Sequence, residues 1–547
     1  MKLTKYFYGL LLIIPIFYTL LSSYFHENIG LFSVRSADPE YIYYICGIEV
    51  ANGQMKVSNI DHPGNTLHYF LAATFRITHW IRGNNIPFNE DILANPDLYL
   101  RVSNSVINFC LAIFLFLIGY LALLIVPNIW YALIIQFTPF ATDISYSNMG
   151  RITPESIMSF FLILISIFAL RILFDKNKPD AWKTVIIFAG IFAVTLALKL
   201  TLAFLLIIPL VLISSWKKKI YFAGLTLFFF LVFAFPVTLQ LGYFWGWIKK
   251  ILLYSGQYGG GEKNIVEISS FFPNIFNLYQ LNKSFFLFTF LFLIVFVYSY
   301  FFKKKESKIL ANKMSLALSL IVLLQVIILG KQFKTSYFIP ALMLLPLIVI
   351  MTLEHLKTWF PGRYFRYVPA ILVSLVIILL LRDQRHIVTE LSASLENQNT
   401  EKMKAYHFLK SVNENSILIM AVGSYGGPSE EYALMTSNEW AGRYKSFYHP
   451  TFAKLYPDTY MYFTWDKTLK YWGNPLYLKT IINSNKPVFL YLENDAPELY
   501  QKTLEKFEFI KDSCKVDSTL LFENKNTKEL IYRLNFYALN GNAIKAE

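Results

Sequence analysis

Residues 35–68 read RSADPEYIYYICGIEVANGQMKVSNIDHPGNTLH, and they follow closely on an apolar run at residues 6–24. The stretch sets Asp38, Glu40, Asp61 and His62 beside a membrane helix, where ionisable groups need a reason to be. Pro39 ahead of EYIYYICGIEVANG predicts a short helix, since proline is favoured near a helix start and Gly53 can close the end. Tyr41, Tyr44, Ile45 and Ile48 share one face of it, which suits the helix to lying in the membrane interface. The next segment, TLHYFLAATFRITHWIRG, is apolar but short and interrupted by His and Arg, so it reads as a second interfacial or re-entrant helix. Lys2 and Lys5 hold the start of the first helix on the cytoplasmic side, which puts the loop at 25–101 outside.

Working outward, the 547 residues are 55% hydrophobic and 18% aromatic, and the apolar runs exceed what a soluble core uses. These features describe an integral membrane protein. The opening run is long for a signal peptide and ends in no small-x-small cleavage site, so it is expected to stay as the first span. A formal charge of +14 suggests nucleic acid at first sight, but Lys and Arg collect in short clusters between apolar runs. Positive-inside topology explains that pattern, and the absence of a basic stripe excludes nucleic acid as a partner. Cys46, Cys110 and Cys514 lie too far apart in sequence to suggest a disulfide framework or a zinc site.

Alternating the basic clusters predicts an all-α polytopic domain at 1–382 with about eleven spans. Residues 102–142 break at Pro127-Asn128 into two spans, and 157–174 follows with Pro154 and Glu155 at its start. Residues 184–215 are apolar apart from Lys199, so two short spans meeting there would carry the ammonium to the outer water boundary. Further spans are expected at 221–241, 284–302, 314–330, 336–353 and 367–381, with an outer loop at 242–283 whose SGQYGGGEKN suits a gate or lid. After Arg382 charge rises and short β-like pieces (SILIMAVG, PVFLYLE, STLLFE) appear, which predicts a soluble mixed α/β domain at 383–547 on the outer side.

With that alternation, the noteworthy polar residues fall on one membrane face: Asp38, Glu40, Asp61 and His62, then Asp143, Arg151 and Glu155, then Lys199, Lys331 and Lys334. A transferase using a membrane-anchored sugar phosphate needs such a set. A carboxylate takes a proton from the acceptor hydroxyl, and cations stabilise the departing phosphate. Asp38 is the candidate base, and Arg151, Lys199, Lys331 and Lys334 are candidates for the phosphate. Blander roles compete at each position: Asp38-Pro39-Glu40 as a helix cap, Glu155 as a first-turn carboxylate, His62 as a turn residue, and the lysines as loop ends or headgroup contacts.

The order of motifs is more specific than any one residue. Asp38 with Glu40, Asp61-His62-Pro63-Gly64, RITPE at 151–155, LKLT at 198–201 and FKTSYFIPAL at 333–342 resemble the polytopic glycosyltransferases of the GT-C class, in style protein O-mannosyltransferases and lipid A aminoarabinose transferases. The resemblance covers residues 1–355. It implies an inverting enzyme of the plasma (inner) membrane that uses a polyprenyl-phosphate sugar on the extracytoplasmic face, with its base in the first loop. The polar set on that face gives the expected substrate-binding residues: Asp61, His62, Asp143, Arg151, Glu155, Lys199, Lys331, Lys334 and Tyr337. The class often shows adjacent Asp-Glu, whereas Pro39 separates the two here, leaving open which carboxylate is the base. No metal-ligand spacing supports the divalent ion some members use, so no cofactor is expected. A glycan, a lipid and a protein all stay open as the acceptor.

The competing reading is a transporter or flippase of a lipid-linked saccharide. That class typically places polar groups near mid-membrane in repeated halves. Here the charges are expected at the outer boundary, and the halves show no symmetry.

Overall fold

The computed structural model describes residues 6–35, 38–174, 179–254, 260–263, 266–302, 309–357, 359, 365–412, 415–422, 428–441, 445–463, 468–472, 474–475, 481, 484, 486–493, 501–505 and 514–538. The chain forms two compact units: 1–25, 60–69 and 104–391 in one, 26–59, 70–103 and 392–547 in the other.

The first unit is helical. Among the described residues six helices are long and apolar enough to cross a membrane: Gly9–Asn28, Pro96–Ile125, Pro154–Phe174, Lys283–Phe302, Ile309–Lys331 and Thr335–Leu356. The chain is therefore an integral membrane protein. Other expected spans take shorter or more polar forms. The second half of 102–142 is only Ile129–Gln136 and a 3-10 turn at Thr138–Ala141. Residues 184–215 become two shorter apolar helices, Trp182–Leu198 and Leu200–Leu212, with Lys199 at the break between them. Trp216–Phe233 carries Lys217, Lys218 and Lys219 in its first turn, and 368–381 is only the start of the 45-residue helix Val368–Val412. The expected outer loop at 242–283 contains two helices, Leu241–Leu253 and Ile268–Leu281, and residues 255–259 and 264 of its SGQYGGGEKN stretch lie outside the described residues.

Thr335–Leu356 is the best enclosed of the six, with 94% of its most apolar window buried. Several polar groups inside the bundle are paired with protein groups. His355 lies between Ser299 (3.1 Å) and Ser315 (2.8 Å), and Tyr131 donates to Glu354 at 2.8 Å. Gln136 Nε2 donates to the carbonyls of Leu11 and Leu115, each at 2.9 Å.

The second unit is built on a seven-stranded sheet. Its strands are β1 Ile417–Val422, β2 Thr459–Phe463, β3 Thr468–Tyr471, β4 Asn474–Pro475, β5 Val488–Leu492, β6 Cys514–Asn524 and β7 Glu529–Ala538, in the order β4-β3-β2-β1-β5-β7-β6. The central strands β2, β1 and β5 are parallel and the rest antiparallel. TYMYF and VFLYL are buried along their whole length, which fits a parallel centre covered on both faces. All three β-like pieces picked from the sequence become strands.

First-loop segments belong to this same unit. The helix Glu40–Ala51 packs on Glu430–Ala441, and Phe88–Ala94 packs on His449–Leu455. Lys454 pairs with Glu90 at 2.7 Å and Tyr456 donates to the Leu93 carbonyl at 2.8 Å. Glu40–Ala51 therefore corrects the interfacial reading. Every residue from Glu40 to Glu49 is buried, because its tyrosines and isoleucines surround the axis and leave no polar face for water. Asp91, fully buried, is held by Tyr99, His79 (3.2 Å), Asn84 (3.0 Å), Asn95 (3.2 Å) and Arg82 (3.0 Å), which ties the ends of two loop helices together.

Candidate active site

The helical unit gathers five of the sequence candidates: His62, Glu155, Lys199, Lys334 and Tyr337. Glu155 stands in the first turn of Pro154–Phe174. That turn is set by a reciprocal cap: Ser156 N donates to Thr153 Oγ1 and Thr153 N donates to Ser156 Oγ, both at 3.3 Å. Asn104, from the helix Pro96–Ile125, donates to the carbonyls of Met149 and Arg151, each at 3.0 Å, and fixes the approach to the cap.

Lys199 sits where Trp182–Leu198 gives way to a 3-10 turn, in extended conformation (φ −158°, ψ 131°). Its ammonium pairs with the Glu155 carboxylate, and the two side chains are only 4% and 12% exposed. Here the outer water boundary expected for Lys199 is corrected. The break does release the side chain from the helix, but it turns into the protein against a carboxylate. Tyr337 lies in the 3-10 turn Thr335–Phe338, and the ammonium groups of Lys199 and Lys334 each stand 5.7 Å from the centre of its ring.

The His-Pro-Gly turn is tied to the same break. Gly64 N donates to the Leu198 carbonyl at 3.2 Å, and Thr66 Oγ1 to that of Val194 at 3.0 Å. Gly64 is left-handed (φ 69°), and a Cβ there would meet His68 at 3.1 Å and the His62 carbonyl at 3.2 Å, so glycine is required. His62 lies within electrostatic reach of Lys199, Glu155 and Lys334. Burial first, and then the Lys199 ammonium, push its imidazole down to about 3, so it is neutral at physiological pH. A neutral imidazole offers a donor and an acceptor without adding charge.

The arrangement holds two ammonium groups, one carboxylate, a neutral imidazole and a phenol. Ammonium groups and a neutral imidazole donor are the groups that can meet the oxygens of a phosphate ester. Among the described residues no group of three His, Cys, Asp or Glu side chains is arranged to hold a metal ion.

The other candidates are placed elsewhere. Lys331 donates to the carbonyls of Ile251 (3.0 Å) and Leu252 (2.7 Å), and Gln332 to that of Ile251 (3.1 Å), so both grip the C-terminal end of Leu241–Leu253. Asp143 lines a small crevice with Asn282, Ser284, Asp383 and Gln384, and burial raises its carboxyl. Asp61 precedes His62 in the turn, and Arg151 is half-buried just before the Thr153 cap. Asp38 and Glu40 belong to the sheet-containing unit, Asp38 half-buried and Glu40 buried at the first position of its helix.

Sequence reasoning missed Trp247. Its ring meets that of His62 edge-on at 5.4 Å and stacks on Phe244 at 6.1 Å. The signal is the aromatic run LGYFWGW at 241–247, which opens the expected outer loop at 242–283. Asn104 was also missed, although an amide inside an apolar span is itself a signal.

No family model matches the chain, and no curated protein matches it. Among solved structures it is similar to the crystal structure of ArnT from Cupriavidus metallidurans bound to undecaprenyl phosphate, with a TM-score of 0.49 and 8% identity over 95% of this chain and 97% of that one. It is also similar to the same protein in the apo state, with a TM-score of 0.46 and 8% identity over the same shares.

Proposed function

We propose that the chain is an inverting glycosyltransferase that moves a sugar from a polyprenyl-phosphate carrier to an acceptor hydroxyl on the extracytoplasmic face of the plasma membrane. The observation that carries this reading is the joining of Lys199, Glu155, Lys334, Tyr337 and His62 from four separate stretches into one group, with Lys199 and Tyr337 buried and the other three half-buried.

In this reading the donor phosphate displaces part of the Glu155 contact on Lys199 and takes Lys334 as its second cation, while neutral His62 donates to a phosphate oxygen. Arg151 and Asp61 stand in flanking turns as further donor or sugar contacts, and Asp143 serves the substrate from its own crevice. Lys331 acts indirectly, by holding the helix that carries Trp247. Asp38 removes the proton of the acceptor hydroxyl as its oxygen attacks the anomeric carbon. The bond from that carbon to the phosphate oxygen breaks, and its electron pair leaves with the polyprenyl phosphate. Glu40 is the alternative base. The lysines supply the positive charge, and no cofactor takes part.

The test uses membranes containing the full chain with a panel of radiolabelled polyprenyl-phosphate sugars, products being separated by thin-layer chromatography. One sugar of the panel is expected to be transferred. Asp38→Asn should lower turnover at least about a hundredfold with donor binding retained, because proton removal in the transition state is worth about a hundred- to ten-thousand-fold. Glu40→Gln should lower it less. A dead Glu40→Gln beside an active Asp38→Asn moves the base to Glu40. Full activity in both variants removes the base from this loop.

A further inference from the structure

The helices Lys283–Phe302 and Ile309–Lys331 enclose between them a groove of about 540 Å³, the size of a small-ligand site. Phe296, Tyr300, Phe301 and Leu316 form apolar walls, and at one end stand Asn312 and Lys313, at the start of the second helix. Phe301 is 72% exposed and Leu316 46%, so these walls face the lipid side of the bundle. The polar end is built. Lys313 donates one of its three protons to Ser214 Oγ at 2.7 Å, and Asn312 Oδ1 is buried with no hydrogen-bond partner. Ser214 in turn belongs to a network in which the backbone nitrogens of Ser214 and Ser215 both donate to Asp180 Oδ1 at 3.0 Å and Lys218 donates to the Asp180 carbonyl. Tyr298 meets Trp359 at 4.6 Å near the same helix end, an aromatic pair of the kind found at headgroup level. The segment joining the two helices reads KKKESK.

We infer that this groove binds one anionic phospholipid of the leaflet on the lysine-rich side. An acyl chain lies along Phe296, Tyr300 and Leu316. The phosphodiester meets the Lys313 ammonium and the positive end of the Ile309–Lys331 helix, and a headgroup hydroxyl donates to Asn312 Oδ1. Charge complementarity selects this occupant: a wholly apolar segment would leave Lys313 and Asn312 under a dry cover, whereas a glycerol-phosphate head satisfies both. The site is separate from the cluster around Lys199, and its test does not depend on transferase activity.

The experiment is native mass spectrometry of the full chain in mild detergent, titrated with dioleoyl phosphatidylglycerol or dioleoyl phosphatidylcholine. Phosphatidylglycerol is expected to be retained about five- to tenfold better than phosphatidylcholine, as one lysine near a headgroup supplies. Lys313→Ala should erase that preference, and Lys313→Arg should keep it. Leu316→Trp, which fills the groove, should reduce retention of both lipids. Equal retention of the two lipids by the parent chain, or an unchanged preference in Lys313→Ala, overturns the proposal. So does a dimer that Leu316→Trp dissociates while lipid retention stays the same, since a second copy would then be the occupant.

Discussion

At the scale of single residues, the pair Glu155 and Lys199 shows how far a sequence speaks. A lysine inside LKLT and a glutamate after Thr-Pro are both conspicuous in apolar surroundings, but nothing in the chain says that residues 44 positions apart neutralise each other. The pairing changes what substitution does. Lys199→Ala leaves a carboxylate that is 12% exposed without its counter-ion, and breaking such a pair costs about 3–5 kcal/mol. The single variant should therefore unfold at clearly lower temperature in detergent. Lys199→Ala with Glu155→Gln should regain most of that loss, because the carboxylate that Lys199 neutralises is gone as well, and still fail to use donor. A double variant no more stable than the single one would mean that the two do not act as a pair. His62 gives a pH signature of definite sign. Its folded imidazole titrates at about 3 against about 6.5 in the unfolded chain, so the unfolded state takes up the proton first. The stability it contributes is complete above about pH 6.5 and is lost as pH falls below that value. His62→Gln should flatten the fall in unfolding temperature between pH 7.5 and pH 5. His68, also lowered to about 3 by burial, is present in both proteins and cancels in the comparison.

At the scale of elements, length and apolarity make the long spans legible, and short continuous apolar runs make β1, β5 and β6 legible. What failed was the reading of faces and short pieces. EYIYYICGIEVA was assigned an exposed face because its tyrosines were counted as interfacial, and a helix apolar on all sides is instead a core helix. Residues 242–253 fall in the expected outer loop, yet Gly242 and Gly246 would meet no neighbour through a Cβ, and the helix Leu241–Leu253 runs through them. The His-Pro-Gly turn was noticed, but its tether to the end of Trp182–Leu198 is a long-range contact that no local pattern carries. That tether predicts a position-specific effect. Gly64→Ala forces a left-handed residue to carry a Cβ, costing about 1–2 kcal/mol, and presses it against His68 and the His62 carbonyl. Donor affinity should fall more than that modest loss of stability explains, whereas Gly53→Ala, left-handed with open space around it, should cost similar stability and leave donor affinity unchanged. Equal donor affinity in the two variants would separate the turn from the site.

At the scale of the whole molecule, the decisive element is Val368–Val412. It begins with fourteen residues that are all apolar but for one serine, VPAILVSLVIILLL, and from Arg382 onward carries Arg, Asp, Gln, His and Glu without a break in the helix. Fourteen residues rise about 21 Å, short of the roughly 30 Å of a hydrocarbon core. With charged residues beginning at Arg382, the helix is expected to leave the membrane near that residue, with the chain beyond it on one side. Lys217–219 and the KKKESK segment, read by the positive-inside rule, would put the opposite side in the cytoplasm, so the chain after Arg382 is expected outside. A single cysteine reports this directly. With Cys46, Cys110 and Cys514 replaced by serine, Ser394→Cys, an exposed position on the helix, should react with a membrane-impermeant maleimide in intact cells. Ser307→Cys, within KKKESK, should react only after the membrane is opened. The reverse pattern would put the sheet-containing unit in the cytoplasm and, with it, the first loop, since 26–59 and 70–103 belong to the same unit. A transferase with Asp38 as its base would then draw its donor from the inner leaflet. Protection of both positions in intact cells would instead mean that the helix does not emerge at Arg382, and that its polar half is shielded by the membrane or by protein.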